Sequence, residues 1–190
     1  APGQAVRAAG DDVQPGDVLF TPGTVVRPAV LGVLASVNAR EVSVHPRARV
    51  AVLSTGDELI EDGGPLQPGQ IRESNRRMLA GLLRDTGCEV VDFGIVRDDE
   101  AALEVVLREA AGKCDAIVTS GGVSMGDYDF TKAVFRDLGA EMNFWKLAIR
   151  PGQPLAFGKI QGKLAFGLPG NPVSSMVTFE QLVRPALLKM

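Results

Sequence analysis

The chain has 190 residues, a hydrophobic fraction of 45%, a charged fraction of 23% and a formal net charge of −3. The negative charge and the low aromatic content of 5% argue against a nucleic-acid partner, which needs basic surface and stacking side chains. No apolar run approaches membrane-spanning length, and the N-terminus lacks the layout of a signal peptide. We therefore expect a cytoplasmic protein with small-molecule partners, without nucleic acid and without a membrane.

The cysteines and the histidine argue against a zinc or iron–sulfur centre. The two cysteines, Cys88 and Cys114, stand apart without a CxxC pair, and His45 is the only histidine. Such centres need more ligands at closer spacing. We expect both cysteines to be small core residues in a reducing compartment.

The first 46 residues differ in pattern from the rest of the chain and predict a small N-terminal β/α appendage or connector. Two Pro-Gly turns flank short β-branched runs, which is typical of short strands. Pro28 suits a first helical turn, and an apolar stripe continues to about Val37. Glu41–Val44 is predicted as another short strand, and we place a domain boundary near Pro46.

From residue 47 onward, buried strands alternate with amphipathic helices. Compact apolar runs predict the strands RVAVLST, CEVVDFGIV, DAIVTS, EMNFWKLAI, PLAFGKI and KLAFGL. Helices are predicted to begin near Ser74, Asp98 with Asp99, Phe130 and Asn171. This alternation is typical of an α/β fold, with a three-layer, mostly parallel sheet and helices on both faces. Gln161-Gly162 predicts an antiparallel hairpin between the last two strands.

Polar, glycine-rich turns follow the carboxyl ends of several strands, which is where open α/β sheets bind ligands. In SGGVSMGDYD, Gly121 and Gly122 let the backbone approach a phosphate closely, because no β-carbon intervenes. GLPGN offers a second such turn at Gly170 and Asn171. Hydroxyl donors are available from Ser120, Ser124 and Ser174. The alternative is structural: the glycines turn the chain, and the serines cap helices.

Acidic side chains fall in the same strand-end loops, at Glu58, Asp98, Asp127 and Asp129. Carboxylates beside a phosphate repel it unless a hard cation lies between them, so a phosphate site here implies Mg²⁺. The structural alternative is N-capping of helices, which suits Asp98 and Asp127 better than the other two.

The segment FWKLAIRPGQP places two cations, Lys146 and Arg150, four residues apart at the end of a predicted strand. Two fixed cations near a phosphate site suit a second, multiply charged oxyanion. Their structural alternative is a pair of solvated surface charges.

Five motifs in register resemble the molybdopterin molybdenumtransferase family, which includes the E domain of gephyrin. The motifs are VLSTGDEL, IRESN, SGGVSMGDYD, FWKLAIRPGQP and GLPGNPVSS. The close resemblance runs from about Arg47 to the end, and it implies a molybdopterin-binding α/β domain over residues 47–190. Residues 1–46 resemble a remnant of the family's first domain.

The resemblance implies a Mg²⁺-dependent reaction in molybdenum cofactor biosynthesis. Family members take adenylylated molybdopterin and molybdate as substrates, insert the metal at the dithiolene and release AMP. Carried over by position, the implied metal ligands are Glu58, Asp98 and Asp129, and the basic pair Lys146 and Arg150 completes the implied catalytic residues. The loops that hold the pterin phosphate and the adenylate match Gly121, Gly122, Ser124, Gly170, Asn171 and Ser174.

The chain departs from the family pattern in charge and in length. Arg150 stands where many relatives have lysine, and Gln153 stands where a further lysine is common. Full-length members also have an early domain, an inserted domain and a C-terminal β-barrel, which implies that this chain is a piece of a longer protein. The resemblance further implies a homodimer that completes the site, and contact with molybdopterin adenylyltransferase. We therefore expect the chain alone to bind ligand but to turn over poorly.

Two other functions stay open. The related molybdopterin adenylyltransferase shares the domain fold and consumes ATP, although GGVSMGDYD and FWKLAIRPGQP favour metal insertion. A non-catalytic scaffold module, as in gephyrin, would need a peptide groove that the sequence does not demonstrate.

Overall fold

The computed structural model describes residues 2–122 and 130–190, without the side chains of residues 130–133, 142 and 144–146. The chain divides into two compact units, Ala1–His45 and Pro46–Met190, which are described separately. In the described ranges, no helix combines the length and the apolar character needed to cross a bilayer.

The first unit contains the predicted helix, α1 (Pro28–Ser36), with proline in its first turn. The described residues of this unit form no strand, so the predicted strand at Glu41–Val44 and the β part of the predicted appendage are corrected. A β-branched run becomes a strand only where a neighbouring strand accepts and donates its backbone hydrogen bonds. Val42 and Val44 are instead exposed, at 48% and 66%.

The second unit contains the six predicted strands and the four predicted helices, and it adds two short strands, a π-helical turn and a short last helix that were not predicted. Its strands are β1 (Arg49–Thr55), β2 (Leu59–Ile60), β3 (Ile71–Arg72), β4 (Glu89–Val96), β5 (Ala116–Ser120), β6 (Glu141–Lys146), β7 (Pro154–Ile160) and β8 (Lys163–Leu168). Its helices are α2 (Asn75–Asp85), α3 (Glu100–Lys113), α4 (Phe130–Asp137), α5 (Pro172–Thr178) and α6 (Arg184–Leu187). A π-helical turn, Phe179–Val183, joins α5 to α6.

Six strands form one sheet in the order β4-β1-β5-β8-β7-β6, and β2 pairs with β3 separately. The four strands from β4 to β8 in this order pair in parallel, whereas β7 runs antiparallel to both of its neighbours. The hairpin from β7 to β8 turns at Gln161 and Gly162, whose φ angles of 49° and 78° fit a type I′ turn. The predicted α/β fold and the predicted hairpin are confirmed.

Both faces of the sheet are covered by helices. Along β1, Val50 and Val52 belong to the apolar core that includes residues of α2, the π-helical turn and α6. Ala51 and Leu53 point to the opposite core, which contains residues of α3 and α4. Because each successive side chain meets one of two cores, β1 reads as a continuous apolar run instead of an alternating one.

The start of α2 differs from the prediction. Ser74 occupies the N-cap position, but its side chain makes no capping hydrogen bond. The Glu73 carboxylate accepts from the Arg76 amide at 2.7 Å instead. At α3, Asp99 Oδ1 accepts from the Ala102 amide at 2.7 Å, in agreement with the predicted helix start.

The buried face of α5 is polar. Val173 and Met176 are 56% and 42% exposed, whereas Ser175 and Thr178 are buried. The chain between β6 and β7 packs closely on this polar side, since an ideal β-carbon on Gly152 would lie 2.7 Å from Thr178 Cγ2. Small side chains on α5 leave space for that close approach.

Candidate functional site

The carboxyl ends of the four parallel strands lie at one edge of the sheet. Register pairs bring Thr55 beside Val96, Ser54 beside Ser120, and Ser120 beside Leu168. Because β6 is antiparallel to β7, and β7 to β8, β6 also ends at this edge. All the predicted site residues with a described position therefore follow strand ends on one side of the sheet.

The two glycine-rich loops contact each other. The Gly121 amide donates to the Leu168 carbonyl at 3.1 Å, and an ideal β-carbon on Gly170 would lie 3.8 Å from Gly121 Cα. Gly121 has a φ of +88°, and a β-carbon there would lie 2.5 Å from the Thr55 carbonyl oxygen. Only glycine combines this backbone conformation with so close an approach.

Asn75, the first residue of α2, connects these two loops. Its Nδ2 atom donates to Ser120 Oγ and to the Gly170 carbonyl, each at 2.8 Å. The residue is 8% exposed. Sequence reasoning missed this role, although Asn75 stands in the quoted motif IRESN.

A cleft of about 90 Å³ opens beside these loops. Its polar lining includes Thr55, Ser120 and Glu58, and its apolar lining includes Leu59 and Pro172. β2 supplies Leu59, and the first residue of α5 supplies Pro172. The cleft therefore combines hydroxyl and carboxylate side chains with an apolar wall.

Glu58, one of the predicted acidic residues, lines this cleft. Its carboxylate occupies the space where a side chain on Gly56 would lie. Gly56 has a φ of +149°, which L side chains rarely adopt. The glycine of the STGDEL turn thus provides both the backbone conformation and the room for the Glu58 carboxylate.

Asp98 is not the helix cap that the structural alternative suggested, because the next residue, Asp99, caps α3. Asp98 Oδ2 accepts from the Asp57 amide at 3.3 Å, and the Asp98 amide donates to Asp57 Oδ1 at 3.4 Å. Arg97 Nη1 lies 3.6 Å from Asp57 Oδ1. These contacts hold together the loops after β1 and β4 and place two carboxylates, those of Asp57 and Asp98, side by side at the edge of the sheet.

A buried carboxylate that sequence reasoning did not assign lies beneath the cleft. Glu73 has a side chain 1% exposed, and its Oε1 atom accepts from Ser54 Oγ at 2.9 Å. Its Oε2 atom lies 3.9 Å from Nε of Arg76, whose side chain is 5% exposed and also forms ion pairs with Glu61 and Asp92. Burial lowers the pKa of Arg76, but hydrogen bonds and charges from Asp92 and Glu61 outweigh it, so the pKa is raised.

Three cleft residues carry buried acceptor atoms without a hydrogen-bond partner among the described residues. These atoms are Thr55 Oγ1, Glu73 Oε2 and Asn75 Oδ1. Buried polar atoms are normally satisfied by protein groups or ordered water. Because these atoms are buried, ordered water is the group that would complete their hydrogen bonding.

The second predicted phosphate-binding turn, at Gly170 and Asn171, lies beside the first, but an amide that follows it is already hydrogen-bonded. Asn171 Oδ1 accepts from the Ser174 amide at 3.1 Å, as predicted for a cap of α5. This amide is therefore not free for a phosphate. The Asn171 side chain is exposed, and Ser174 is half-buried.

The backbone register places the predicted basic pair at the other end of the edge. Lys146 pairs with Pro154 of β7, while Ala156 of β7 pairs with Gly167 of β8. The backbone of Lys146 is therefore level with the end of β8. It lies two strands away from β8, which is about 10 Å at ordinary strand spacing. Arg150 is exposed and forms no ion pair with another described side chain.

Three acidic and hydroxyl positions of the predicted site, Ser124, Asp127 and Asp129, lie outside the described residues. Within the described ranges, no three His, Cys, Asp or Glu side chains come close enough together to hold a metal ion. The assignment of a metal to Glu58, Asp98 and Asp129 stays a prediction. Gly122 is described, with a φ of +68°.

The strand order arranges the predicted residues by charge along the edge. Asp98 follows β4 and Glu58 follows β1, at one end. The glycine-rich loops follow β5 and β8 in the middle, and Lys146 with Arg150 ends the row at β6. An extended ligand that carries more than one oxyanion can lie along such a row, with hard cations or waters at its acidic end.

Comparison with known proteins places the chain in a family. The family described as "Probable molybdopterin binding domain" matches residues 51–189. The chain is 49% identical over 189 residues to the molybdopterin molybdenumtransferase of Haemophilus influenzae, covering 100% of this chain and 46% of that protein. It is 45% identical over 193 residues to molybdopterin molybdenumtransferase 2 of Mycobacterium tuberculosis, covering 98% and 47%. The chain thus spans about half the length of these curated relatives.

Solved structures show the same relationship. The molybdopterin biosynthesis MoeA protein of Pyrococcus horikoshii superimposes with a TM-score of 0.81 at 36% identity, covering 94% of this chain and 44% of that one. Molybdenum cofactor biosynthesis protein B, at 18% identity and a TM-score of 0.60, shares the fold alone over 76% of this chain and 94% of its own. The chain belongs to the family of probable molybdopterin-binding domains.

Proposed function

We propose that this protein acts in molybdenum cofactor biosynthesis as a molybdopterin molybdenumtransferase, inserting molybdate into adenylylated molybdopterin with release of AMP. The observation that carries the proposal is the row of acidic, glycine-rich and basic segments along one sheet edge. The identity of 49% to the molybdopterin molybdenumtransferase of H. influenzae supports it. Because this chain spans 46% of that relative, the activity is proposed for the whole protein.

The centre of the edge is proposed to bind the phosphates of the adenylylated substrate. The Gly121 amide already donates to the Leu168 carbonyl, so the proposed backbone donors are at Gly122 and beyond, and Ser120 contributes a hydroxyl to the same cleft as Gly121. The proposed contacts of Asn171 and Ser174 use groups other than the Ser174 amide, which is bonded within the cap. Backbone groups suit this task because they are held by the sheet before the ligand arrives.

The basic end of the edge is proposed to bind molybdate. Lys146 ends a strand, and Arg150 is exposed in the turn that Gly152 holds against α5. A guanidinium and an ammonium can share the oxygens of one tetrahedral dianion. Molybdate would thereby lie beside the pterin end of a substrate whose phosphates occupy the glycine-rich loops.

The acidic end is proposed to hold Mg²⁺. Asp98 and Glu58 are proposed to provide oxygen ligands. The Asp98 carboxylate accepts from the Asp57 amide, and the Asp98 amide donates to the Asp57 carboxylate. Mg²⁺ typically binds one or two protein carboxylates, waters and substrate phosphates. When bound, the ion would neutralise phosphate charge, and Asp129 is proposed as a further ligand.

The remaining proposals concern the setting of the reaction. We infer a cytoplasmic enzyme that forms a homodimer in its full-length form and receives its substrate from molybdopterin adenylyltransferase. Residues 1–46 are proposed to be a remnant of the family's first domain. Sedimentation and co-purification of the full-length protein test the dimer and the adenylyltransferase contact.

The function is tested by molybdate-dependent AMP release from adenylylated molybdopterin in the full-length protein. Glu58→Ala and Asp129→Ala should leave the fold intact, as measured by circular dichroism, and abolish that release. Unchanged release would remove these residues from the mechanism. Consumption of ATP with molybdopterin, but without molybdate, would identify an adenylyltransferase. Binding of neither AMP nor molybdate would identify a scaffold.

A further inference from the structure

The bridge made by Asn75 has a geometry that few residues can supply. One planar amide nitrogen donates both of its hydrogens, to Ser120 Oγ and to the Gly170 carbonyl, each at 2.8 Å. The acceptors lie in different strand-end loops, 45 and 95 residues from Asn75 in sequence. The bridge therefore holds the loop after β5 at a set distance from the loop after β8.

The same contact determines what the Ser120 hydroxyl can do. A hydroxyl oxygen that accepts a hydrogen bond keeps its own proton for a different acceptor. Ser120 is 2% exposed and lines the cleft, next to Gly121. The free proton of this hydroxyl is thus suited to donation toward a ligand oxygen, and a donor held in place before binding loses little entropy when it binds.

Ordinary helix capping does not account for Asn75. The first-turn amide of Arg76 is bonded by Glu73, and the Asn75 side chain makes its two bonds outside α2. Its Oδ1 atom is buried without a partner among the described residues. A buried acceptor left without a partner costs stability. The Asn75 side chain therefore stabilises the contact between the two loops and does not stabilise the start of α2.

We propose that Asn75 is a positioning residue: it sets the spacing of the two glycine-rich loops and leaves the Ser120 hydroxyl to donate to a phosphate oxygen of the ligand. The proposal rests on the proposed function for the identity of that ligand. Asn75 acts through Ser120 and Gly170, so its removal should weaken phosphate binding without removing a ligand contact of its own.

A double-mutant cycle with AMP as the probe tests this. Binding of AMP to the full-length protein is measured by calorimetry for wild type, Asn75→Ala, Ser120→Ala and the double variant. Loss of a hydrogen bond to a charged group weakens binding about 10- to 100-fold, and we expect this for each single variant. Because both changes act on the same hydrogen bond from the Ser120 hydroxyl to AMP, the double variant should bind AMP far better than the product of the two single effects predicts.

Further variants separate positioning from general damage. Asn75→Asp keeps the shape of the side chain, but its carboxylate accepts the Ser120 proton, so this variant should also weaken AMP binding. If Asn75→Ala does not fold, Asn75→Asp replaces it in the cycle. Asn38→Asp makes the same chemical change at an exposed position in the first unit and should bind AMP like wild type. Thermal unfolding reports any structural loss separately.

The results distinguish this inference from the proposed function. If wild type binds AMP and releases it in a molybdate-dependent reaction, but folded Asn75 variants bind AMP normally, the positioning role is wrong and the function stands. Effects of Asn75→Ala and Ser120→Ala that multiply fully would also overturn it. If wild type neither binds nor releases AMP, both proposals fail.

Discussion

Glu58 folds back over Gly56, so that an ideal β-carbon on Gly56 would lie 2.8 Å from the Oε1 atom of the Glu58 carboxylate. The turn after β1 therefore depends on a glycine for the position of an acidic side chain, as well as for its φ of +149°. This relationship links a backbone requirement in STGDEL to the proposed acidic end of the site.

Gly56→Ala should displace the Glu58 carboxylate and strain the turn, at a cost of about 1 kcal/mol in the free energy of unfolding. We expect molybdate-dependent AMP release to fall by more than this stability loss explains. Release and thermal unfolding are measured together on the full-length protein. Gly81→Ala is the control, because a β-carbon at this position in α2 meets no atom within 4 Å. It should stabilise by about 0.5–1 kcal/mol, and an equal loss of release in both variants would contradict the prediction.

Gly121→Ala should destabilise the second unit by about 2–4 kcal/mol, because its β-carbon meets backbone that cannot rotate away. The atom in its path is the Thr55 carbonyl oxygen, 2.5 Å distant. Gly139→Ala serves as the matched control, since Gly139 also has a positive φ, of +67°, but its β-carbon would meet nothing within 4 Å. The control should cost only about 1 kcal/mol. Urea unfolding of both variants measures the difference in the free energy of unfolding. Equal losses of stability would show that Gly121 does not pack closely against Thr55.

Arg76→Met should cost about 3–5 kcal/mol in the free energy of unfolding, because it leaves a buried carboxylate without its cation. That carboxylate belongs to Glu73, whose side chain is 1% exposed. Adding Glu73→Gln to Arg76→Met should recover part of the loss, since the uncompensated charge is removed. Arg77→Met removes a cation that is 69% exposed from the same helix, and it should cost less than about 1 kcal/mol. If the two arginine variants were equally stable, the buried network would not be important for the fold.

Neither cysteine should react with iodoacetamide in the folded protein. Cys88 and Cys114 are 8% and 2% exposed, and burial raises the pKa of both thiols above the ordinary value of 9.0. As the pH rises, the thiols lose their protons in the unfolded chain before they do so in the folded protein. The contribution of the buried thiols to the free energy of unfolding is therefore present below pH 9.0 and is lost as the pH rises through the raised pKa values. Alkylation followed by mass spectrometry should become rapid only in denaturant. Rapid labelling under native conditions would contradict the burial of these residues.

Sequence patterns were sufficient for the main fold. The apolar runs of β1 and β5 and the caps at Asp99 and Asn171 are local signals, because burial on both faces and amide capping act over a few neighbouring residues. The same local signals were misleading at Glu41–Val44, where β-branched residues have no partner strand in the described chain. Local signals also gave no indication of the polar buried face of α5, where Gly152 packs against Thr178.

The motifs also identified most of the candidate site residues, but they did not predict the hydrogen bonds that join them. Asn75 and Glu73 carry no signal of their own in a single sequence, since an amide or a carboxylate at a helix start is an ordinary cap. Their importance depends on Ser120, Gly170 and Ser54, which the sheet brings to them from distant parts of the chain.

The amino-acid sequence by itself determined the order and type of the elements of the sheet, and it marked the loops that carry glycine and charge. These properties follow from interactions between residues that are close along the chain. Only the tertiary structure decided which loops touch, which carboxylate is buried and which amide joins Ser120 to Gly170. Such contacts depend on strand order and register, which determine the distances between residues far apart in sequence.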